Sequence, residues 1–224
     1  MSYHKLSPKL KSFSAKLGEE SISKNIHEAL AHKQWRQAMN EKLEALQKNQ
    51  TWKIVDLPKG KRAVGCKWVF TVKYKAIGSI ERFKARLVAK GFTQTQGIDY
   101  FETFAPVAKI NTIRILLSLA VNRDWQLYQY DVKNAFLHGD LEEEVYMEIP
   151  HGLNIAGSKN KVCWLKNALY GPKQSPKAWF GRFARFTLHI GFHQSQGDHT
   201  LFSKHNKERK MVILIIYVDD IMVI

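Results

Sequence analysis

Val212-Ile213-Leu214-Ile215-Ile216-Tyr217-Val218-Asp219-Asp220-Ile221-Met222-Val223-Ile224 is the stretch that decides the fold. An apolar, largely β-branched run reads as a strand, the acidic pair as a tight turn, and the closing apolar run as a second strand. Asp tolerates turn geometry, so an acidic pair at a hairpin tip is by itself ordinary. Adjacent carboxylates nevertheless repel unless a cation lies between them. Magnesium held for phosphoryl transfer is one such cation. A third carboxylate elsewhere has to decide between the two readings.

Asp131 is the candidate. It ends an extended segment over 125–130 and opens Asp131-Val132-Lys133-Asn134-Ala135-Phe136. Taken alone, a strand-terminal Asp is more often structural than catalytic. If this strand lies beside the acidic hairpin, Asp131, Asp219 and Asp220 converge on one edge. Two magnesium ions about 4 Å apart could then bridge them and an incoming triphosphate.

Composition narrows the partner. The 224 residues are 45% hydrophobic and 25% charged, enough for a folded core. The net charge of +15 suits a polyanion, nucleic acid before membrane, although a basic protein without such a partner fits too. Lysines are spread along the chain, which favours a basic groove over a basic tail. Cys66 and Cys163 give neither a disulfide framework nor zinc spacing and read as buried thiols. No run is long enough to cross a bilayer, and the N-terminus lacks the apolar core of a signal peptide. The nine histidines show no ligand spacing.

Residues 1–22 have no clear period and read as a loose leader. A helix is expected from Ser23 to Asn49, with Trp35, Ala38, Met39, Leu43 and Leu46 on its apolar face. A short strand over 51–57 follows. Segments 66–75 and 80–89 flank Ala76-Ile77-Gly78-Ser79 and read as a β-hairpin. The hairpin carries Lys67, Lys73, Lys75, Arg82, Lys84 and Arg86, with Lys90 just beyond. Such a ribbon could lie over a phosphate backbone or a triphosphate, or be a solvated face. Residues 111–122 read as a helix buried through Ile113, Leu116, Leu117 and Ala120. Glu142-Glu143-Glu144 reads as a polar bend before a strand over 145–149. Ser175-Pro176 starts a helix with Ser175 as N-cap, striped by Trp179, Phe180, Phe183, Phe186 and Ile190 and closed by Gly191. Hairpins and irregular alternation favour an α+β layout over a doubly wound sheet.

Several segments, in order, resemble the reverse transcriptase of copia-type long-terminal-repeat retrotransposons. They are Gly65-Cys66-Lys67-Trp68-Val69-Phe70, Lys84-Ala85-Arg86-Leu87-Val88-Ala89-Lys90-Gly91 and Glu102-Thr103-Phe104-Ala105-Pro106-Val107. Asp131-Val132-Lys133-Asn134-Ala135-Phe136-Leu137-His138-Gly139, Leu169-Tyr170-Gly171-Pro172-Lys173-Gln174-Ser175-Pro176 and Tyr217-Val218-Asp219-Asp220 complete the set. So many ordered matches are specific where a lone Tyr-x-Asp-Asp is not.

The resemblance implies an RNA-directed DNA polymerase working with two Mg²⁺ ions, or Mn²⁺. It acts on an RNA or DNA template with a primer and on deoxynucleoside triphosphates. Asp131, Asp219 and Asp220 match the metal-binding carboxylates, and the Val132 carbonyl would sit beside the second metal. Lys84 and Arg86 match residues that neutralise the triphosphate, and Phe136 matches an aromatic gate that excludes a ribose 2′-hydroxyl. Tyr170, Gly171 and Gln174 fall in the segment against the templating base and nucleotide, where Gly171 would permit close backbone approach. Lys67, Lys73 and Lys90 would contact nucleic acid.

In family terms residues 1–23 are a leader and 24–104 a fingers-like unit of helix and basic hairpin. Residues 105–224 are a palm-like catalytic region with an insertion near 139–175. The chain ends four residues after Asp220. The expectation is therefore a fingers and partial-palm fold with the thumb absent, an unpaired outer edge on the returning strand, and little activity in isolation. The implied location is intracellular, in a cytoplasmic virus-like particle or the nucleus. A non-catalytic nucleic-acid-binding remnant is the alternative. Oligomeric state has no signature here.

Overall fold

The computed structural model describes residues 23, 25–75, 77–155, 157, 160–205 and 210–224. The expected leader, apart from Ser23, and Ala76 of the expected turn lie outside the described residues. The first helical region is two helices, Ile26–Ala31 (α1) and Lys33–Lys48 (α2). The expected single helix is interrupted at His32, whose backbone is extended at φ −102° and ψ 126°. On α2 the five expected apolar residues are all buried. Their three- and four-residue spacing makes one stripe.

That stripe packs on an antiparallel ribbon of Cys66–Tyr74 (β2) and Ile80–Ala89 (β3). Phe70, Val72 and Ala85 join Trp35 and Met39 in one core cluster. The Trp35 ring meets Phe70 and Phe83 edge-on, with centroids 5.1 and 4.7 Å away. Side chains alternate across a strand, so the intervening residues share the opposite face. There Val69 lies opposite Arg86, Thr71 opposite Lys84, and Lys73 opposite Arg82. The ribbon is thus apolar on one side and basic on the other.

A three-stranded antiparallel sheet comprises Trp52–Asp56 (β1), Asp140–Glu148 (β5) and Lys161–Asn167 (β6), in the order β1-β6-β5. Leu87, Leu137, Met147, Cys163, Leu165 and Leu169 share the core beside it. Strand β5 is longer than the expected 145–149. Glu142-Glu143-Glu144, read as a polar bend, lies inside it where the register shifts between Asp140 and Val145. A bulged strand tolerates acids on its solvent side.

Five strands form the remaining sheet: Tyr128–Asp131 (β4), His193–Gln194 (β7), Leu201–His205 (β8), Met211–Tyr217 (β9) and Asp220–Val223 (β10), in the order β4-β10-β9-β8-β7. Helices Ile110–Asn122 (α3) and Ser175–His189 (α4) cover it. Ile213 and Ile215 cluster with Leu116 of α3, whereas Ile216 and Phe202 cluster with Trp179 and Phe183 of α4. Strand β9 is sandwiched on both faces, which explains its continuous apolar run.

Three expectations change here. Strand β10 has no unpaired outer edge: it pairs with β9 on one side and β4 on the other, and β4 takes the rim. Backbone groups on both sides of β10 are thereby satisfied. The α4 N-cap position is Gln174, and Ser175 is the first helical residue, its buried Oγ unpartnered among the described residues. The apolar stripes are also narrower than expected, with Phe186 and Leu117 exposed. No helix among the described residues is long and apolar enough to cross a membrane.

Candidate active site

The register between β4 and β10 sets Asp131 directly opposite Asp220. Just beyond, the Val132 N–H donates to the Asp219 carbonyl at 2.8 Å, so the chain leaving β4 is fastened to the hairpin tip. At that tip Val218 has φ 56°. A β-branched residue in this left-handed region carries roughly 1–3 kcal/mol of strain and needs neighbours that hold it there. One is Trp179 of α4, whose Nε1–H donates to the Val218 carbonyl at 2.7 Å.

A cavity of about 550 Å³ opens between this edge, helix α2 and the basic ribbon. Asp131, Val132 and Asp219 line one side, Lys84 and Arg86 of β3 another, and Lys42 of α2 and Tyr170 are also in its lining. Burial, then repulsion from Arg86, Arg82 and Lys73, lowers the Lys84 pKa, while Asp131 opposes the shift. Burial pushes the Tyr170 phenol up, and Asp219 adds to it. Lys42 is lowered to about 8, by burial first and then by Lys84 and Arg86.

Behind Asp131 the backbone turns through Asn134, left-handed at φ 56° and ψ 39°, into a short 3-10 turn, Ala135–His138. Phe136 on that turn meets the Tyr170 ring edge-on at 4.8 Å between centroids. Tyr170 is docked against β3, its carbonyl accepting from the Ala89 N–H at 2.8 Å. The approach depends on Gly171, at φ +112°, where an added Cβ would stand 1.9 Å from the Ala89 carbonyl oxygen.

The expected site residues therefore divide. Asp131, Val132, Asp219, Lys84, Arg86, Tyr170 and Lys73 line one cavity, with Phe136 against Tyr170. Asp220 does not line it: its carboxylate accepts from the Gln129 Nε2–H at 3.1 Å. Like charges directly opposite on paired strands repel, and Gln129 offers a neutral donor. Gln174 is also elsewhere, 2% exposed. Its Oε1 accepts from Gln94 at 3.1 Å, and its Nε2–H donates to the Asp99 carbonyl at 3.3 Å. Lys67 is exposed on β2, and Lys90 lies against Gly65.

As a cation site, the cavity offers hard oxygens suited to magnesium or manganese. These are the Asp131 and Asp219 carboxylates and the Val132 carbonyl, which also accepts from the Ala135 N–H at 3.2 Å. No group of three or more His, Cys, Asp or Glu among the described residues is arranged to hold a metal. The Gln129 contact of Asp220 leaves the expected trio as two carboxylates in the cavity with the third beside it. Asp220 would join the other donors only by giving up its Gln129 contact.

Sequence reasoning missed Lys42, Asn134 and Trp179 as parts of the site. Lys42 had a readable signal. It lies three residues after Met39 and four before Leu46, inside the buried stripe, where an unpaired lysine is out of place. Trp179 stands in the apolar stripe of α4, and nothing in sequence links its indole to Val218.

Residues 49–224 match the family model described as reverse transcriptase (RNA-dependent DNA polymerase). Over 211 residues, 93% of this chain, it is 45% identical to the retrovirus-related Pol polyprotein from transposon TNT 1-94 of Nicotiana tabacum. To the corresponding polyprotein from transposon RE1 of Arabidopsis thaliana it is 44% identical over 213 residues, 95% of the chain. The transposon Ty1-ER2 Gag-Pol polyprotein of Saccharomyces cerevisiae is 28% identical over 200 residues, 83% of the chain. The chain spans 16%, 14% and 10% of the length of these three relatives. With most of its length matched, the chain belongs to the reverse transcriptase family, in the form carried by the Pol polyproteins of copia-type retrotransposons.

Proposed function

We propose that this chain forms the nucleotide-adding site of an RNA-directed DNA polymerase. The observation that carries the reading is the pairing of Asp131 with Asp220, with Asp219 facing Lys84 and Arg86 across one cavity. In this reading residues 24–104 act as fingers and 105–224 as palm, with 139–175 inserted. Asp131, Asp219, Asp220 and the Val132 carbonyl would hold two magnesium ions, with manganese as a substitute. When bound, the metal pair lowers the pKa of the primer 3′-hydroxyl and offsets charge on the leaving pyrophosphate.

The chain's own residues do the rest. Lys84 and Arg86 bind the triphosphate and place its α-phosphorus toward the primer. Phe136, braced by Tyr170, fills the space a ribose 2′-hydroxyl needs and so favours deoxynucleotides. Tyr170 and Gly171 form the floor under the base, and Gln174 steadies that floor from behind through Gln94 and Asp99. Lys67, Lys73 and Lys90 take template or primer phosphates.

The test is primer extension on polyriboadenylate with oligodeoxythymidylate, deoxythymidine triphosphate and magnesium. The protein should carry the segment that follows this region in the relatives. Product is expected from the wild type, with roughly a hundredfold loss or more in Asp219→Asn. Undiminished product from Asp219→Asn sinks the reading. The +15 charge also supports a binding role without catalysis, which salt-sensitive, magnesium-indifferent binding with no extension would favour.

A further inference from the structure

We propose that Lys42 of helix α2 is a third polyphosphate-binding cation of this cavity, held ready by Asn134 and delivered to the terminal phosphates of the incoming nucleotide. The proposal rests on the nucleotide-adding reading and extends it to an element outside the basic ribbon. Its Nζ donates to Asn134 Oδ1 at 2.9 Å and lines the same cavity as Lys84 and Arg86. An ammonium removed from water normally takes a carboxylate partner. Lys42, half-buried, instead takes a neutral amide and stands beside two more cations. Such an arrangement is unfavourable in the free protein and becomes favourable when several negative charges enter.

A triphosphate fits this geometry better than a nucleic-acid backbone does. Lys42, Lys84 and Arg86 converge from two elements on one cavity. A backbone contact would call for cations along an open track, as on the outer ribbon face. Asn134 adds a positional link: it immediately precedes the turn that carries Phe136. When Lys42 leaves Asn134 for phosphate, triphosphate and sugar contacts are made from one end of that turn.

The experiment measures equilibrium binding of inorganic tripolyphosphate, deoxythymidine triphosphate and a single-stranded oligonucleotide to the full chain, without divalent metal. Lys42→Met is expected to weaken both polyphosphates about tenfold, the size of one charge-assisted hydrogen bond. Lys42→Arg should stay within about threefold, and Lys48→Met, exposed on the same helix, should match the wild type. Oligonucleotide affinity should hold in all three. If Lys42→Met does not fold, Asn134→Asp replaces it: a carboxylate partner should retain the ammonium and weaken tripolyphosphate comparably. Equal polyphosphate affinity in wild type and variant overturns the role of Lys42 while leaving the polymerase reading intact. A matching loss of oligonucleotide affinity overturns it in favour of a backbone contact. Wild type that binds no polyphosphate also overturns it, and the Asp219→Asn extension assay then judges the polymerase reading separately.

Discussion

Gly171 carries one of the tightest constraints in the molecule. A Cβ there would meet the Ala89 backbone oxygen at 1.9 Å, and φ is +112°. No side chain can swing aside, so the ribbon itself must withdraw and break the bond from the Ala89 N–H to the Tyr170 carbonyl. Gly171→Ala is expected to cost roughly 2–4 kcal/mol of stability, the sum of strain and a lost buried hydrogen bond. Urea unfolding measures it, and a wild-type midpoint would show that Tyr170 is not docked on β3. Lys42 makes a different prediction at the same scale. Its pKa is about 8 when folded against 10.5 ordinarily, so between those values the unfolded chain holds more protons and stability rises with pH. Below about 8 the full penalty of burying the ammonium is present. Arg86 and Lys84, whose own pKa is lowered, face it from β3, Glu41 is its helix neighbour, and Asp131 and Asp219 lie across the cavity. The half-buried Cys66 thiol and the buried Cys163 thiol, pushed up to about 11 and 12, lose stability as pH rises past 9, the opposite sign. They are common to wild type and Lys42→Met, so the difference between the two proteins isolates Lys42. Relative to Lys42→Met, wild type should gain stability from pH 8 to pH 10. Parallel urea midpoints across that range would place the ammonium in solvent.

Among the elements, the β9–β10 hairpin was legible in the sequence because both arms are apolar and the turn is acidic. Its pairing with β4 was not, since register across distant segments leaves no local trace. The same limit hid β6 and β8, where Lys161-Val162-Cys163-Trp164 and Leu201-Phe202-Ser203-Lys204 mix polar and apolar residues without clean alternation. Consecutive Glu in sequence resembles a bend, whereas a bulge carries the acidic triplet along β5. Of the residues lining the candidate cavity, Asp131, Asp219, Lys84 and Arg86 stand in ordered motifs. The Asp220–Gln129 contact and the Lys42–Asn134 bond depend on side-chain placement that no motif encodes. Helix α4 supports the hairpin through the Trp179–Val218 bond. Trp179→Phe keeps most of the ring packing and removes that donor. It should destabilise the protein by about 1–2 kcal/mol and raise hydrogen exchange at the hairpin tip more than in the β2–β3 ribbon. Uniform exchange across both would mean that the indole only fills space.

At the scale of the whole molecule, charge is distributed by face. The ribbon turns Phe70, Val72 and Ala85 inward, so its lysines and arginines share the opposite side. A two-stranded ribbon cannot bury both faces against one helix, and a face this basic is suited to phosphates. Near one end it feeds the cavity through Lys73, Lys84 and Arg86, while Lys67 lies further along. Binding of a single-stranded oligonucleotide should therefore weaken steeply with salt, with a log–log slope of about −0.7 per phosphate neutralised. Replacing Lys67 and Lys73 together by Gln should make that slope shallower by about 1.4. Lys48→Met, exposed at the last turn of α2, should leave it unchanged. Fluorescence anisotropy across ionic strengths reads both. A slope untouched by the double variant would move the nucleic-acid track off the ribbon, and the net charge of +15 would have to act through another face.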